Sequence, residues 1–235
     1  MTKYGKFIGV GVGPGDPSML TLKAVDVLKK VDYIFEAVGK NSKESISSKI
    51  VSAIEGITAI KIPLVFSMSR SHSQRKEAWV KNALLVCDKL KDGKDVAFVT
   101  IGDPLIYSTY TYLMKEVLNI IADIKVETIP GITSFQYSAS RKNMPIVEDE
   151  ETLMLLPAWK EEIVNLDLVK KADTVVCLKT YRTRNAIIDI LQNSGKNNLL
   201  YAQRVGLEDE KISNSLDEIK KTSVEYLSHL IGRKK

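Results

Sequence analysis

FIGVGVGPGDP, residues 7–17, opens with a β-prone apolar run and closes on a turn dense in glycine and proline. Beyond it Leu22, Val25, Leu28 and Val31 recur at the spacing of one helix face. Asp16 or Thr21 is placed to cap that helix, and Pro17 suits a first turn. Strand, tight turn and helix make the first half of a βαβ unit, and the pattern repeats downstream. Strands are expected at 33–37, 58–64, 95–101 and 125–129, with helices near 47–54, 79–90 and 110–121. The run at 95–101 is almost continuously apolar, as a strand covered on both faces requires. Such alternation predicts an α/β fold whose first domain is a doubly wound, mainly parallel five-stranded sheet.

After Pro130-Gly131 the rhythm changes. Strands are expected at 153–156, 174–178, 198–204 and 226–231, and helices at 161–170 and 184–193, which suggests a mixed sheet in a second α/β domain. The expected domains are 1–131 and 132–235, with a cleft between them; such clefts are common ligand sites.

Bulk properties narrow the function classes. At 44% hydrophobic and 27% charged residues the 235-residue chain has ordinary globular usage. No apolar run approaches the roughly 20 residues of a membrane helix. Residues 1–6 lack the apolar core of a signal peptide. The expectation is a cytoplasmic protein with no membrane partner. The two cysteines, Cys87 and Cys177, each sit among apolar residues, and His72 and His229 are isolated, so neither a disulfide framework nor a protein-bound metal is expected. The net charge of +5 fits a solvated basic surface or a polyanionic partner, either nucleic acid or a multiply carboxylated small molecule. Charge alone does not choose between them.

Three strand-to-helix loops carry the functional signal. The first, Gly9 to Pro17, follows a strand and opens a helix, yet neither glycine frame gives GxGxxG, and GxxxxGK[ST] is absent. A tight turn exposing backbone to a ligand without phosphate is the better account. The second, Gly102-Asp103-Pro104, ends an apolar strand and so lies at the carboxyl edge of a parallel sheet, where open α/β folds bind ligands. There Asp103 is able to accept hydrogen bonds from an ammonium or hydroxyl. The third, Pro130 to Phe135, offers the Thr133 and Ser134 hydroxyls at a helix start, where simple N-capping is the competing role.

Taken in order and spacing, GVGPGDP with LTLKA, VTIGDPLIYSTYTYL, and TIPGITSFQYSAS with a following MP resemble the tetrapyrrole methylases, the class III methyltransferases, over roughly residues 5–232. IYSTY after Gly-Asp-Pro, PLVFSM at 63–68 and the 151–157 segment resemble the branch of that family that methylates C-20 of precorrin-2 or its cobalt-containing counterpart, cobalt-factor II. The resemblance implies two α/β domains, a homodimer, and S-adenosylmethionine as methyl donor. It places Pro14, Gly102, Asp103, Ile106, Thr133 and Ser134 around that cofactor. Leu178 matches a position that is Met beside the cofactor in the uroporphyrinogen members. Asp16 matches an acidic position implicated in some relatives and is the candidate for catalysis.

The function so implied is methylation of C-20 of cobalt-factor II in anaerobic cobalamin biosynthesis, with the metal-free precorrin-2 reaction as the alternative. Substrate carboxylates would favour basic side chains, and Arg70, Arg75 and Lys76, in an expected loop at 67–76, are the candidates. Two rivals of other classes stand beside this: an RNA ribose methyltransferase, which the basic charge suits, and a non-enzymatic nucleotide-binding module. Against RNA, the sequence shows no basic surface interleaved with aromatics for base stacking.

Overall fold

The computed structural model describes residues 4–39, 45–66, 72–157 and 166–234. The chain folds into two compact units, Met1–Thr133 and Ser134–Lys235.

The first unit runs β1 (Phe7–Gly11), α1 (Leu22–Leu28), β2 (Tyr33–Val38), α2 (Ile46–Ser52), β3 (Ile60–Val65), α3 (His72–Lys91), β4 (Val96–Thr100), α4 (Tyr110–Ile120) and β5 (Val126–Ile129). Its five strands are all parallel, in the order β3-β2-β4-β1-β5. From β1 the chain winds one way across the sheet and from β3 it winds back. Right-handed crossovers therefore set α1 and α2 on one face and α3 and α4 on the other. Side-chain alternation along β1 reads the same way: Ile8 and Val10 pack with Ala24, Leu28 and Val51, whereas Phe7 packs with Cys87, Leu90 and Leu113. Gly9 shares the face of Phe7, and a Cβ there would lie 2.2 Å from the Tyr110 ring. The missing side chain lets Tyr110 cross the strand and pair its hydroxyl with Thr128 Oγ1 at 2.9 Å. Thr21 caps α1 through the Ala24 amide at 3.1 Å, while Asp16 caps only a separate 3-10 turn, Pro17–Met19.

The structure corrects one assignment here. α3 begins at His72, not near Trp79, so the expected loop at 67–76 is helical in its second half. The residues from Ser73 to Glu77 favour a helix by propensity but are mostly exposed, and so carry no apolar period to reveal it.

The second unit comprises α5 (Ser134–Arg141), β6 (Leu153–Leu156), α6 (Leu166–Lys171), β7 (Thr174–Leu178), α7 (Arg184–Asn193), β8 (Asn198–Gln203), β9 (Lys211–Ser213), α8 (Leu216–Lys221) and β10 (Ser228–Arg233). The sheet is mixed, ordered β6-β7-β10-β8-β9, with only the β6–β7 pair parallel. Phe135 and Ala139 of α5 cover one face, against Val176, Leu200 and Ile231. Val169, Ile187 and Ile219 from the other three helices cover the opposite face, which contains Cys177. Two buried cations close helix ends on that side. Lys196 Nζ donates to Val169 O at 2.6 Å, and Arg184 donates to Thr222 O at 2.7 Å and Lys220 O at 3.2 Å. Each satisfies carbonyls that a helix leaves unpaired at its carboxyl end.

The last strand lies two residues later than its apolar run suggests. It continues through Gly232, where a Cβ would stand 2.8 Å from a Leu191 methyl, so the glycine marks a close helix approach within a strand and not its end. The helix expected at 161–170 is α6, Leu166–Lys171; residues 158–165 lie outside the described part.

Candidate active site

At the carboxyl edge of the first sheet three loops touch through their backbones. Gly102 N donates to Gly13 O at 2.7 Å, an isolated bridge that ties the loop after β4 to the loop after β1. Gly102 has φ +69° and Gly13 φ +77°, conformations that glycine adopts without steric cost. A Cβ on Gly11 would lie 2.5 Å from Gly102 O, and one on Gly131 would lie 2.2 Å from the same oxygen. The glycines at the ends of β1, β4 and β5 thus permit an approach that any side chain would prevent.

Asp103 joins the second loop to the third. Its Oδ1 accepts from Leu105 N at 2.8 Å and its Oδ2 from Gly131 N at 3.1 Å. Most of its bonding therefore holds the loops in place, although a carboxylate has acceptor capacity beyond two bonds. Pro14 is buried, Ile106 is half-buried, and Thr133 is buried at the last position of the first unit. Ser134 is the first residue of α5 and of the second unit. Asp16 Oδ1 accepts from Ser18 N at 2.8 Å, the bond of a turn cap.

Leu178 ends β7 in the second unit, half-buried and in register with His229. Arg75 and Lys76 stand near the start of α3, Lys76 exposed and Arg75 half-buried. Arg70 lies outside the described residues.

Two left-handed residues in the segments that follow β4 and β7 escaped the sequence. Tyr107, five residues past Gly102, has φ +47°, and Lys179, immediately after Leu178, has φ +57°. Left-handed residues that carry a side chain are uncommon and concentrate at functional sites, but no residue type announces them.

The first-unit edge is thus backbone amides, glycines, the Thr133 hydroxyl and the Asp103 carboxylate. Such a surface is suited to holding and orienting a ligand, and among the described residues it presents no activated nucleophile. Among the described residues no group of three His, Cys, Asp or Glu is placed to hold a metal ion, and no helix is long and apolar enough to cross a membrane.

A family model described as Tetrapyrrole (Corrin/Porphyrin) Methylases matches residues 6–220. A protein of Methanocaldococcus jannaschii named as a probable cobalt-precorrin-2 C(20)-methyltransferase is 38% identical over 91% of this chain and 89% of its own length. The cobalt-precorrin-2 C(20)-methyltransferase of Salmonella typhimurium is 26% identical over 81% of this chain and 79% of its own. A Sinorhizobium protein named precorrin-2 C(20)-methyltransferase is 28% identical over 85% and 84%. Among solved structures, a cobalt precorrin-4 methyltransferase superposes with a TM-score of 0.74 at 19% identity, covering 97% of this chain and 94% of that one. The uroporphyrin-III C-methyltransferase of Thermus thermophilus, complexed with S-adenosyl homocysteine, gives 0.67 at 19% identity over 98% of both chains. At that identity the likeness to solved structures is one of fold, and it agrees with the parallel and mixed sheets described above. With nearly the whole chain matched by the family model and by a relative of this similarity, the protein belongs to the tetrapyrrole methylases.

Proposed function

We propose that the protein methylates C-20 of cobalt-factor II (cobalt-precorrin-2) with S-adenosylmethionine, in the anaerobic route to cobalamin, as a cytoplasmic homodimer. The observation that carries this reading is the Methanocaldococcus jannaschii relative named as a probable cobalt-precorrin-2 C(20)-methyltransferase, matched over about nine-tenths of both chains. The Sinorhizobium relative keeps the metal-free substrate, precorrin-2, as the second reading.

The first-unit edge fits the proposed cofactor. Gly11, Gly102 and Gly131 keep the backbone bare, the Asp103 carboxylate retains capacity to accept from an ammonium or ribose hydroxyl, and Ile106 offers apolar cover. Pro14, Thr133, Ser134 and Leu178 complete the proposed contacts. S-adenosylmethionine, when bound, supplies a sulfonium methyl that is already electrophilic, and the enamine-like C-20 of a reduced tetrapyrrole supplies the electron pair. The chain's own task is then to hold nucleophile, methyl and sulfur in line and exclude water, effects that can lower a barrier by several kcal/mol. Asp16 spends one carboxylate oxygen on a backbone amide and Asp103 spends both, which suits positioning better than proton transfer. Arg70, Arg75 and Lys76 remain proposed partners for substrate carboxylates.

The test is turnover with S-adenosylmethionine of cobalt-factor II against metal-free precorrin-2, reading the gain of one methyl by mass spectrometry and its position by NMR. A C-20 methylated cobalt product formed faster than the metal-free one is the expected result. Preference for precorrin-2 would select the second reading, and methylation of RNA alone would overturn both. Light scattering at micromolar concentration checks the dimer.

A further inference from the structure

At the carboxyl end of β7 the chain turns through Lys179 with φ 57° and ψ 47°. This left-handed region is disfavoured for any residue with a Cβ, and glycine enters it freely. The Lys179 amide donates to Ser228 O at 2.7 Å, which fixes the turn, but a glycine amide would do the same. What lysine adds at this position is its ammonium.

That ammonium lies 5.8 Å from the centre of the Tyr226 ring. Tyr226 meets Tyr181 edge-on with ring centres 5.4 Å apart, and the Arg182 guanidinium lies 5.1 Å from the centre of Tyr181. Two cations are therefore seated on two mutually packed rings, within a four-residue stretch and the segment that leads into β10. Among the described residues neither cation has a carboxylate partner. Ring faces attract the charge without using the N–H groups, so the hydrogen-bond donors of both heads stay available to a ligand. Tyr226 and Arg182 are exposed and Tyr181 is half-buried, so the cluster is open to solvent.

An aromatic shelf with two held positive charges suits a large ring system that carries carboxylates on its rim. Resting on the reading proposed above, we infer that Lys179 and Arg182 bind peripheral carboxylates of the tetrapyrrole, with Tyr181 and Tyr226 packed against its edge. The strained turn then has a purpose: it directs a lysine where a strand continuation would not, one residue after Leu178. The second unit then contributes to substrate affinity through its own side chains.

Four variants of the full-length protein test this: Lys179→Gly, Arg182→Gln, Lys179→Arg and Arg182→Lys. The probes are metal-free factor II, followed by absorbance titration, and S-adenosylmethionine, followed by calorimetry. Lys179→Gly should raise the factor II Kd and the substrate KM by about tenfold or more, since a hydrogen bond to a charged group is lost. It should leave kcat and S-adenosylmethionine affinity nearly unchanged, and its melting temperature should equal or exceed that of the parent, because glycine relieves the turn. Arg182→Gln should act similarly, and the two charge-retaining variants should keep most of the affinity. Unchanged factor II binding in both Lys179→Gly and Arg182→Gln, with the parent binding normally, would overturn the inference and leave the proposed function standing. A parent protein that binds no tetrapyrrole would overturn both. Equal losses of affinity in the neutral and charge-retaining variants would assign the segment a packing role and also overturn the inference.

Discussion

The Ser138 hydroxyl and Nε2 of His229 meet at 2.7 Å inside the second unit, between α5 and the middle of its sheet. His229 lies in β10 between Leu178 and Ala202 and is almost wholly excluded from water. Burial pushes its imidazole down from the usual 6.5 to about 4. The unfolded chain therefore binds a proton near pH 6.5 that the folded chain accepts only near pH 4. Stability is full above about pH 6.5 and is lost as the pH falls towards 4. The loss from this group approaches roughly 3 kcal/mol, at ~1.4 kcal/mol per unit of separation. Urea melts at pH 7.5 and 5.0 should show it, and a His229→Gln variant should show a smaller acid-side decline. An identical decline in the variant would assign acid sensitivity to other groups.

Replacing Gly131 by Ala should be costly although its backbone is not left-handed, because the new methyl group would stand 2.2 Å from Gly102 O. Overpacking of this kind usually costs ~1–3 kcal/mol. Gly195→Ala is the control: φ +77° with nothing within 4 Å of the added Cβ, so it bears only backbone strain, about 1 kcal/mol. Gly131→Ala should also weaken S-adenosylmethionine binding by calorimetry, and Gly195→Ala should not.

Asp103→Ala removes the acceptor for Leu105 N and Gly131 N together, and should reduce cofactor affinity by ~1–3 kcal/mol through loss of loop order. Asp103→Asn is the sharper variant. Its carbonyl can keep one of the two bonds, but its amide then turns an N–H towards the other donor, so it should be nearly as impaired as the alanine variant. If Asn retains full affinity, the carboxylate does not hold these loops by its two acceptors.

Thr133→Val combined with Ser134→Ala should weaken S-adenosylmethionine binding by ~1–3 kcal/mol if the hydroxyls are buried against it. The comparison must be made on folded protein, since Thr133 is buried in the fold itself. Unchanged affinity in a folded double variant would reduce the pair to helix-start residues.

What the sequence discloses follows the range of the physics behind it. The β1 run, the apolar β4 run and the amphipathic α7 are local patterns, and each is visible without knowledge of its neighbours. The first turns of α3 are not, because Arg75, Lys76 and Glu77 form helix without burying a stripe. β9 and α8 are short, three and six residues, and their register depends on pairing with β8 and on Ile219 reaching the core. In the candidate site the loops could be located from strand ends and glycine-proline turns. The contact of Gly11 and Gly131 with one carbonyl oxygen could not, since it joins residues about 120 positions apart. Nor could the left-handed Lys179, because backbone conformation at a residue with a Cβ is settled by tertiary bonds such as the one to Ser228 O.

The chain's two thiols are divided between its two cores, Cys87 on the buried side of α3 and Cys177 in β7. Desolvation pushes the first up to about 11 and the second to about 12, so neither is a thiolate at neutral pH. In the native protein both should ignore alkylating reagents, and each becomes reactive only when its own unit opens. Labelling followed by peptide mass spectrometry would then time the openings separately. Cys87 is a clock for the first unit and Cys177 for the second, with no engineered probe needed; a cofactor that binds mainly to the first unit should slow Cys87 more than Cys177.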